Sequence, residues 1–195
     1  MLQIHTLILG DYETNVYIVH DSHSRNCVII DPGYQPQVIL DKVTALGLTV
    51  EAILLTHGHF DHVGGVKAIA KETGCRVYLH EDDLKLPPYL TAGELYYTDP
   101  YEDGDTVEVA GLTFRVMHTP GHTMGSVCLI VEDTIFSGDT LFRHGCGRTD
   151  LGGDWATLMR SLQQFKLLES NYPIYPGHGE MTALMDELNY NPYLR

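Results

Sequence analysis

The chain of 195 residues is long enough for one domain with a sizeable hydrophobic core. Hydrophobic residues make up 44% of it and charged residues 19%, which excludes a disordered, collagen-like or coiled-coil protein. Twelve Lys and Arg against 26 Asp and Glu give a formal net charge of −14. This charge argues against a nucleic-acid partner, because such proteins hold phosphates with basic side chains. The 11 histidines are the first indication of a metal site.

The cysteines and the N-terminal segment predict a cytoplasmic protein. The four cysteines are scattered and form no Cys-x-x-Cys pair, so a disulfide framework is not expected. The segment 1–5 lacks the basic and apolar regions of a secretion signal. No stretch approaches the ~20 apolar residues that span a bilayer, so no membrane partner is expected. The sequence does not indicate the oligomeric state.

The N-terminal half predicts a strand meander followed by alternating helices and strands. Runs of β-branched and aromatic residues between turn residues predict strands at 3–9, 14–20 and 26–31. Apolar periodicity then predicts a helix over 36–46, a buried strand over 51–56 and a helix over 63–73. The weakly periodic segment 86–105 predicts an irregular insertion, either a lid or a plain surface loop.

The C-terminal half returns to strands and ends with a helix. Strands are predicted at 106–109, 112–118, 126–131 and 134–137, joined by hairpin turns. A helix over 155–168 is expected to begin after Asp154 as its N-cap. Two groups of strands separated by helices most simply form two sheets covered by helices. We therefore expect one α/β sandwich domain over 1–195.

The strongest local motif is Thr56-His57-Gly58-His59-Phe60-Asp61-His62, where a buried strand gives way to a helix. His57 and His59 are two residues apart, so in extended backbone both imidazoles leave on one face. Asp61 and His62 follow on the next turn. Four side chains that can bind a metal converge here, which favours a metal site over a group of surface histidines.

Three later turns carry further metal-competent side chains. His122, Asp139 and His178 each follow an apolar strand and lie beside a glycine, which lets the backbone approach a crowded site. Singly, each is compatible with a hydrogen-bonded turn residue. Together with the first motif they provide five imidazoles and two carboxylates. This is the set that two divalent ions require, including a carboxylate that can bridge them.

These motifs resemble those of the metallo-β-lactamase superfamily, whose His-x-His-x-Asp-His signature and later His, Asp and His turns are all present. The resemblance runs from about Asp31 to the C-terminus and implies a four-layer αββα sandwich with the metals at one edge of the sheets. Segments 142–154 and 191–194 resemble the short, single-domain glyoxalase II (hydroxyacylglutathione hydrolase-like) type. Residue by residue, it implies a first metal site of His57, His59 and His122, a second of Asp61, His62 and His178, and Asp139 as the bridge.

The resemblance implies a metal-dependent hydrolase of small thioesters, such as a hydroxyacylglutathione or a related acyl thiol. A hydroxide bridging two divalent ions would attack the carbonyl, with no need for a Ser or Cys nucleophile. Asp61 and Asp139 are the candidate catalytic residues, and Asp61 would orient the hydroxide. Zinc is the expected metal, and iron or manganese also suit this mixed nitrogen and oxygen set.

Three other side chains have candidate roles around the metals. Arg148 either holds a substrate carboxylate in a bidentate pair or is a solvated arginine. Tyr175 either lines the mouth of the site, with the tyrosines at 89, 96, 97 and 101, or packs in the core. Asp31 either accepts a hydrogen bond from a ligand imidazole or is only a turn residue.

Two alternative functions remain open from the sequence. Persulfide (sulfur) dioxygenases share the Gly-Cys-Gly-Arg-Thr-Asp run and use one iron, which His57, His122 and Asp139 would hold here. Retention of His178 in Pro-Gly-His-Gly disfavours that mononuclear alternative. A non-catalytic metal-binding protein is disfavoured because all seven ligand positions are present. Full-length glyoxalase II enzymes carry a C-terminal domain that helps bind glutathione, which we do not expect here, so glutathione specificity is in doubt.

Overall fold

A computed structural model describes residues 1–195 as two sheets with helices on their outer faces. The first sheet begins with an antiparallel meander and continues with parallel strands. In spatial order it contains β1 (Leu2–Leu9), β2 (Thr14–Asp21), β3 (Asn26–Ile30), β4 (Thr49–Leu54), β5 (Arg76–Leu79) and β6 (Asp99–Pro100).

The second sheet is largely antiparallel, with one parallel pair that brings a late strand beside the middle of the sheet. Its strands in chain order are β7 (Thr106–Val109), β8 (Leu112–His118), β9 (Val127–Val131), β10 (Thr134–Gly138), β13 (Pro173–Pro176) and β14 (Thr182–Ala183). A separate two-stranded hairpin consists of β11 (Leu141–Phe142) and β12 (Gly145–Cys146).

The helices are short and amphipathic. They are α1 (Pro36–Ala45), α2 (Phe60–Val63), α3 (Val66–Thr73), α4 (Trp155–Gln163) and α5 (Leu184–Tyr190), with 3₁₀ turns at Glu81–Lys85 and Gln164–Leu167. The Asp154 carboxylate accepts a hydrogen bond from the backbone N–H of Thr157 at 2.7 Å, as predicted for the N-cap of α4. No helix has both the length and the apolar character needed to cross a bilayer.

Three apolar layers hold the four layers of secondary structure together. The outer face of the first sheet packs against α1 and α3. The two inner faces meet in a layer that includes Phe114 and Phe136. The outer face of the second sheet packs against α4 and α5 through Leu158, Leu162 and Leu184. This arrangement confirms the αββα sandwich.

The main departure from the predicted elements is in the helix expected over 63–73. It is split into α2 and α3, which are separated by Gly64 and Gly65. A Cβ at Gly64 would lie 2.4 Å from the Gly33 carbonyl oxygen, and one at Gly65 would lie 2.6 Å from that of Pro32. The break therefore results from a close approach of this segment to the loop after β3, which periodicity does not report.

Other differences concern element boundaries and short strands. The strand predicted over 51–56 ends at Leu54, which leaves the residues before His57 in a connecting loop. The helix predicted over 155–168 is α-helical only to Gln163 and continues as a 3₁₀ turn. The strands β5, β6, β11, β12 and β14 and the helix α5 were not predicted, because elements of two to seven residues carry little periodicity.

Candidate metal centre

The candidate site lies at one edge of the sandwich, where strand ends of both sheets meet. In the first sheet, β3 and β4 run parallel, so Asp31 and His57 follow neighbouring strand ends. In the second sheet, β10 and β13 run parallel, so Asp139 and His178 do the same. The connection between β8 and β9 contributes His122. The two sheets thus bring together all seven residues that the sequence predicted as metal ligands.

His57, His59 and His122 form the first of two groups. Each is buried, and one nitrogen from each ring lies within 4.8 Å of the others. His59 Nδ1 is 2.9 Å from His122 Nε2. The three rings therefore present nitrogens to one small volume.

Asp61, His62 and His178 form the second group. His62 Nε2 lies 3.2 Å from His178 Nε2, and His178 Nε2 lies 3.2 Å from Asp61 Oδ2. The three candidate ligand atoms again lie within 4.8 Å of one another. The chemistry of this group is mixed, with two imidazoles and one carboxylate.

Asp139 lies between the two groups. Its Oδ2 is 3.5 Å from His122 Nε2 of the first group and 3.4 Å from His178 Nε2 of the second. Its Oδ1 is 3.5 Å from His62 Nε2. This position is the one required of a carboxylate that bridges two cations.

Hydrogen bonds behind the rings determine which nitrogens carry protons in the first group. His59 Nε2 faces the Leu151 carbonyl oxygen at 2.9 Å, and His122 Nδ1 faces the Arg148 carbonyl oxygen at 2.6 Å. Because a carbonyl only accepts, these two nitrogens are the donors of neutral imidazoles. His59 Nδ1 and His122 Nε2, which lie 2.9 Å apart, therefore both carry lone pairs. Two facing lone pairs repel each other unless a cation binds between them.

The third imidazole of this group, that of His57, also has a nitrogen with a free lone pair. Thr56 Oγ1 donates to Asp31 Oδ2 at 2.5 Å and so accepts from His57 Nδ1 at 3.1 Å. His57 Nε2 then carries a lone pair. This atom and Asp139 Oδ1 are the two buried side-chain nitrogen or oxygen atoms that have no hydrogen-bond partner. Buried polar groups are rarely unpaired, so the absence of a partner at both atoms is consistent with their binding cations.

The second group is oriented from behind in the same way. His62 Nδ1 donates to Asp31 Oδ2 at 3.0 Å, and His178 Nδ1 donates to the Tyr12 carbonyl oxygen at 2.9 Å. Their Nε2 atoms point into the site. Asp31 also accepts from the backbone N–H of Thr56 at 2.8 Å, so one buried carboxylate connects two ligand-bearing segments. The structure thus places Asp31 where the sequence predicted a partner for a ligand imidazole.

The carboxylates set the protonation of the metal-free second group. Burial by itself lowers the pKa of His62, but Asp139, Asp31 and Asp61 outweigh it and raise that pKa to about 9. Burial also lowers the pKa of His178, and its hydrogen bonds to Asp139 and Asp61 raise it to about 10. Burial raises the pKa of Asp139, but the neighbouring imidazoles hold it well below its ordinary value. The carboxylates around His62 and His178 therefore favour positive charge in the second group.

The first group has less carboxylate around it, and burial dominates. Burial and the neighbouring imidazoles hold the pKa of His57 well below its ordinary value. Burial lowers the pKa of His122 to about 4 despite the attraction of Asp139. The rings of His57 and His122 are therefore neutral at physiological pH, which is the form that binds metals.

Asp83 supports the site, although sequence reasoning missed it. Its buried carboxylate accepts hydrogen bonds from the Gly58 N–H at 2.6 Å, the Gly125 N–H at 2.7 Å and the Thr123 hydroxyl at 2.9 Å. It thereby connects the loop of the first motif to the loop that carries His122. In the sequence, Asp83 belongs to an acidic run and carries no signal that separates it from a solvated carboxylate.

The site opens into a cavity of about 620 Å³ with a largely apolar wall. Phe60, Leu90, Phe142 and Leu151 line it, together with the half-buried Cys146 and the exposed Arg148 and Tyr12. The Arg148 guanidinium lies at the cavity in a bidentate pair with Asp150, both contacts being 2.6 Å.

The structure does not place Tyr175 in the lining of this cavity. The Tyr175 ring packs between the sheets, 5.6 Å from the ring of Tyr17 and 5.5 Å from that of Phe136. Tyr101 is likewise buried in that layer, and Tyr89 is 79% exposed. The tyrosine that does line the cavity is Tyr12, in the turn between β1 and β2, which no sequence motif marks. The expected substrate contact of Tyr175 is therefore not supported by its position.

A family comparison agrees with this geometry. Residues 9–178 match the family model of the metallo-beta-lactamase superfamily. The chain belongs to the metallo-β-lactamase superfamily. It is a metal-dependent hydrolase of that superfamily, with His and Asp clusters suited to metal ions.

Individual relatives and solved structures resemble the chain over nearly its whole length. The hydroxyacylglutathione hydrolase GloC of Haemophilus influenzae is 30% identical, with 99% of this chain and 98% of the relative covered. The BLEG-1 B3 metallo-beta-lactamase superposes with a TM-score of 0.89 at 34% identity, covering 100% and 99% of the two chains. The di-iron-bound TTHA1623 superposes with a TM-score of 0.84 at 36% identity, covering 97% and 100%.

Proposed function

We propose that this protein is a dinuclear metal-dependent thioesterase of the glyoxalase II type. The observation that carries the proposal is the pair of three-residue groups with Asp139 between them. His57, His59 and His122 would hold one divalent ion, Asp61, His62 and His178 the other, and Asp139 both. Two such ions supply a hydroxide nucleophile at neutral pH and polarise a carbonyl.

The chain's own residues complete the reaction site. Asp61 would orient the attacking group, while Asp31 and the carbonyls behind the imidazoles hold the rings in place. The apolar wall formed by Phe60, Leu90 and Phe142 excludes water around the acyl group. Burial raises the pKa of Cys146 to about 11, so it remains a thiol and does not serve as a nucleophile. A thiolate whose conjugate thiol has a pKa of ~8.5 can leave without a general acid.

A small-molecule thioester is the substrate class that these features favour. The hydroxyacylglutathione hydrolase among the relatives supports a thioester, and the apolar wall suits its acyl part. Arg148 is the basic residue in the lining and would pair with one carboxylate of the substrate's thiol part. One arginine already paired with Asp150 provides little attraction for a thiol with several carboxylates, so simpler thiols are favoured over glutathione.

We propose zinc as the metal, because imidazole and carboxylate ligands suit it. A di-iron form exists for TTHA1623, and the same ligand set accepts iron. A mononuclear-iron persulfide dioxygenase would leave the second group without a role, although its imidazoles are oriented as closely as those of the first.

The test combines elemental analysis with two assays on the purified protein. Two metal ions per chain and thiol release from S-lactoylglutathione or a simpler acyl thioester are expected. Asp139→Asn should lose metal and activity, whereas Asp133→Asn, at an exposed turn, should keep both. Arg148→Ala should mainly raise KM, and the exposed Arg160→Ala should not. One iron per chain with oxygen uptake on a persulfide would overturn the proposal in favour of the dioxygenase.

A further inference from the structure

A second cluster of imidazoles and carboxylates lies outside the metal centre, where the turn after β5 meets the end of β8. The rings of His80 and His118 stack with centroids 4.1 Å apart and planes 12° apart. The Asp82 Oδ2 atom lies 3.9 Å from His80 Nδ1. None of these three residues has a role in the proposed hydrolysis.

Two candidate ligand atoms of the cluster have a free lone pair, and a cation would displace one long hydrogen bond to reach the third. His118 Nε2 donates to the Met124 carbonyl oxygen at 2.8 Å, so its Nδ1 carries the lone pair. His80 Nδ1 accepts only a long hydrogen bond of 3.2 Å, from the backbone N–H of Asp82. Lys85 Nζ contacts Oδ1 of Asp82 at 2.5 Å, which leaves Oδ2 free. One ligand atom from each residue lies within 4.8 Å of the others.

The surroundings of the cluster favour a cation. The cluster faces a cavity of about 420 Å³ whose other charged lining residues are all acidic: Glu81, Glu102 and Asp103. No lysine or arginine lines this cavity.

We propose that His80, Asp82 and His118 form a further site for one divalent transition-metal ion, separate from the dinuclear centre. Two imidazoles and one carboxylate suit Zn²⁺ better than Mg²⁺ or Ca²⁺, which prefer oxygen ligands only. Water would complete the coordination. The site does not depend on the proposed thioesterase activity, because no residue of the dinuclear centre contributes to it.

The position of the site defines what the ion does. His80 follows a strand of the first sheet and His118 ends a strand of the second, so one ion joins the two sheets. Asp83, next to Asp82, holds Gly58 and Gly125 beside the dinuclear centre. The ion therefore has a structural role, and its binding should raise the melting temperature of the holoprotein.

The test is equilibrium dialysis of the holoprotein against micromolar Zn²⁺, with metal counted per chain. One equivalent beyond the two expected at the dinuclear centre should bind, and it should be lost in Asp82→Asn and His118→Gln. Thioester hydrolysis should be unchanged in Asp82→Asn, which also shows that this variant is folded.

A second histidine pair provides the discriminating control. His5 and His20 also place their Nε2 atoms 3.3 Å apart on the first sheet, without a carboxylate in contact. The His20→Ala variant should retain the additional equivalent. Loss of that equivalent in His20→Ala but not in His118→Gln, or the absence of any additional equivalent in the wild type, would overturn the proposal.

Discussion

At the scale of single residues, the site is built from imidazoles whose outward nitrogens are each held from behind. The Nδ1 atom of His62 donates a hydrogen bond to Asp31, that of His122 to the Arg148 carbonyl and that of His178 to the Tyr12 carbonyl. Such partners determine which nitrogen carries the proton and which faces the metal. The ligand motif alone therefore does not describe the site, because its geometry depends on residues that bind no metal.

The substitution Asp31→Asn tests this support. It removes the charge that faces His62 and places an amide where two hydrogen-bond acceptors are needed, so metal affinity should fall by ~10–100-fold. Competition with a chromophoric chelator measures the change. The exposed Asp41→Asn serves as the control, and equal affinities in the two variants would contradict the role of Asp31.

The substitution Tyr175→Phe tests whether that side chain contacts the substrate. Tyr175 packs against Tyr17 and Phe136 between the sheets and does not line the cavity. Removing its hydroxyl should therefore leave KM and kcat for a thioester unchanged. An increase in KM would show that the side chain reaches the substrate after all.

At the scale of elements, close backbone approaches hold the ligand loops in place. A Cβ at Gly147 would lie 1.9 Å from the Asp139 carbonyl oxygen and 2.8 Å from the His122 ring. A Cβ at Gly145, two residues earlier, meets nothing closer than 3.8 Å. The segment 145–147 therefore packs directly against two ligand residues at Gly147 and not at Gly145.

These two glycines form a matched pair for mutagenesis. Gly147→Ala must displace Asp139 or His122 and should reduce both metal content and activity by at least tenfold, because a 1 Å misplacement is costly. Gly145→Ala should retain both. Elemental analysis and a thioester assay on the two variants provide the measurement. Equal losses of metal and activity in both variants would contradict a specific contact at Gly147.

The buried carboxylate of Glu187 connects α5 to the β11–β12 hairpin. It accepts hydrogen bonds from the His144 N–H at 2.8 Å, the Thr182 hydroxyl at 2.7 Å and the Asn191 amide at 2.8 Å. Glu187→Gln replaces an acceptor with a donor and should lower the free energy of unfolding by about 2–3 kcal/mol. Urea denaturation measures this loss. The exposed Asp186→Asn should change stability by less than ~0.5 kcal/mol.

At the scale of the whole molecule, the metal centre connects the two sheets. The segment after β4 contributes ligands from the first sheet, and the loops after β8, β10 and β13 contribute ligands from the second. Bound ions therefore join halves that otherwise meet through the inter-sheet apolar layer. Metal loading and global stability should be linked.

Removal of the metals with a strong chelator tests this linkage. At ~100-fold saturation a bound ligand contributes about 2.7 kcal/mol, which corresponds to roughly 5–10 °C in the melting temperature of a domain of this size. Calorimetry of the holo and metal-free forms should show a decrease of that order. Asp139→Asn, which is expected to be metal-poor, should respond much less, and an unchanged wild-type transition would contradict the linkage.

The sequence by itself determined the fold class and the principal ligands, because both depend on local patterns. Alternating and helical periodicities report burial over a few residues, and His57, His59, Asp61 and His62 lie within six consecutive residues. His122, Asp139 and His178 were found because each follows an apolar strand beside a glycine, and the family resemblance then assigned them to the metal sites. Only the tertiary structure assigned Asp83 and Tyr12 to the site, Glu187 to the contact between α5 and the β11–β12 hairpin, and Tyr175 to the layer between the sheets. Their roles depend on partners distant in the chain, and local periodicity contains no information about which distant segments meet.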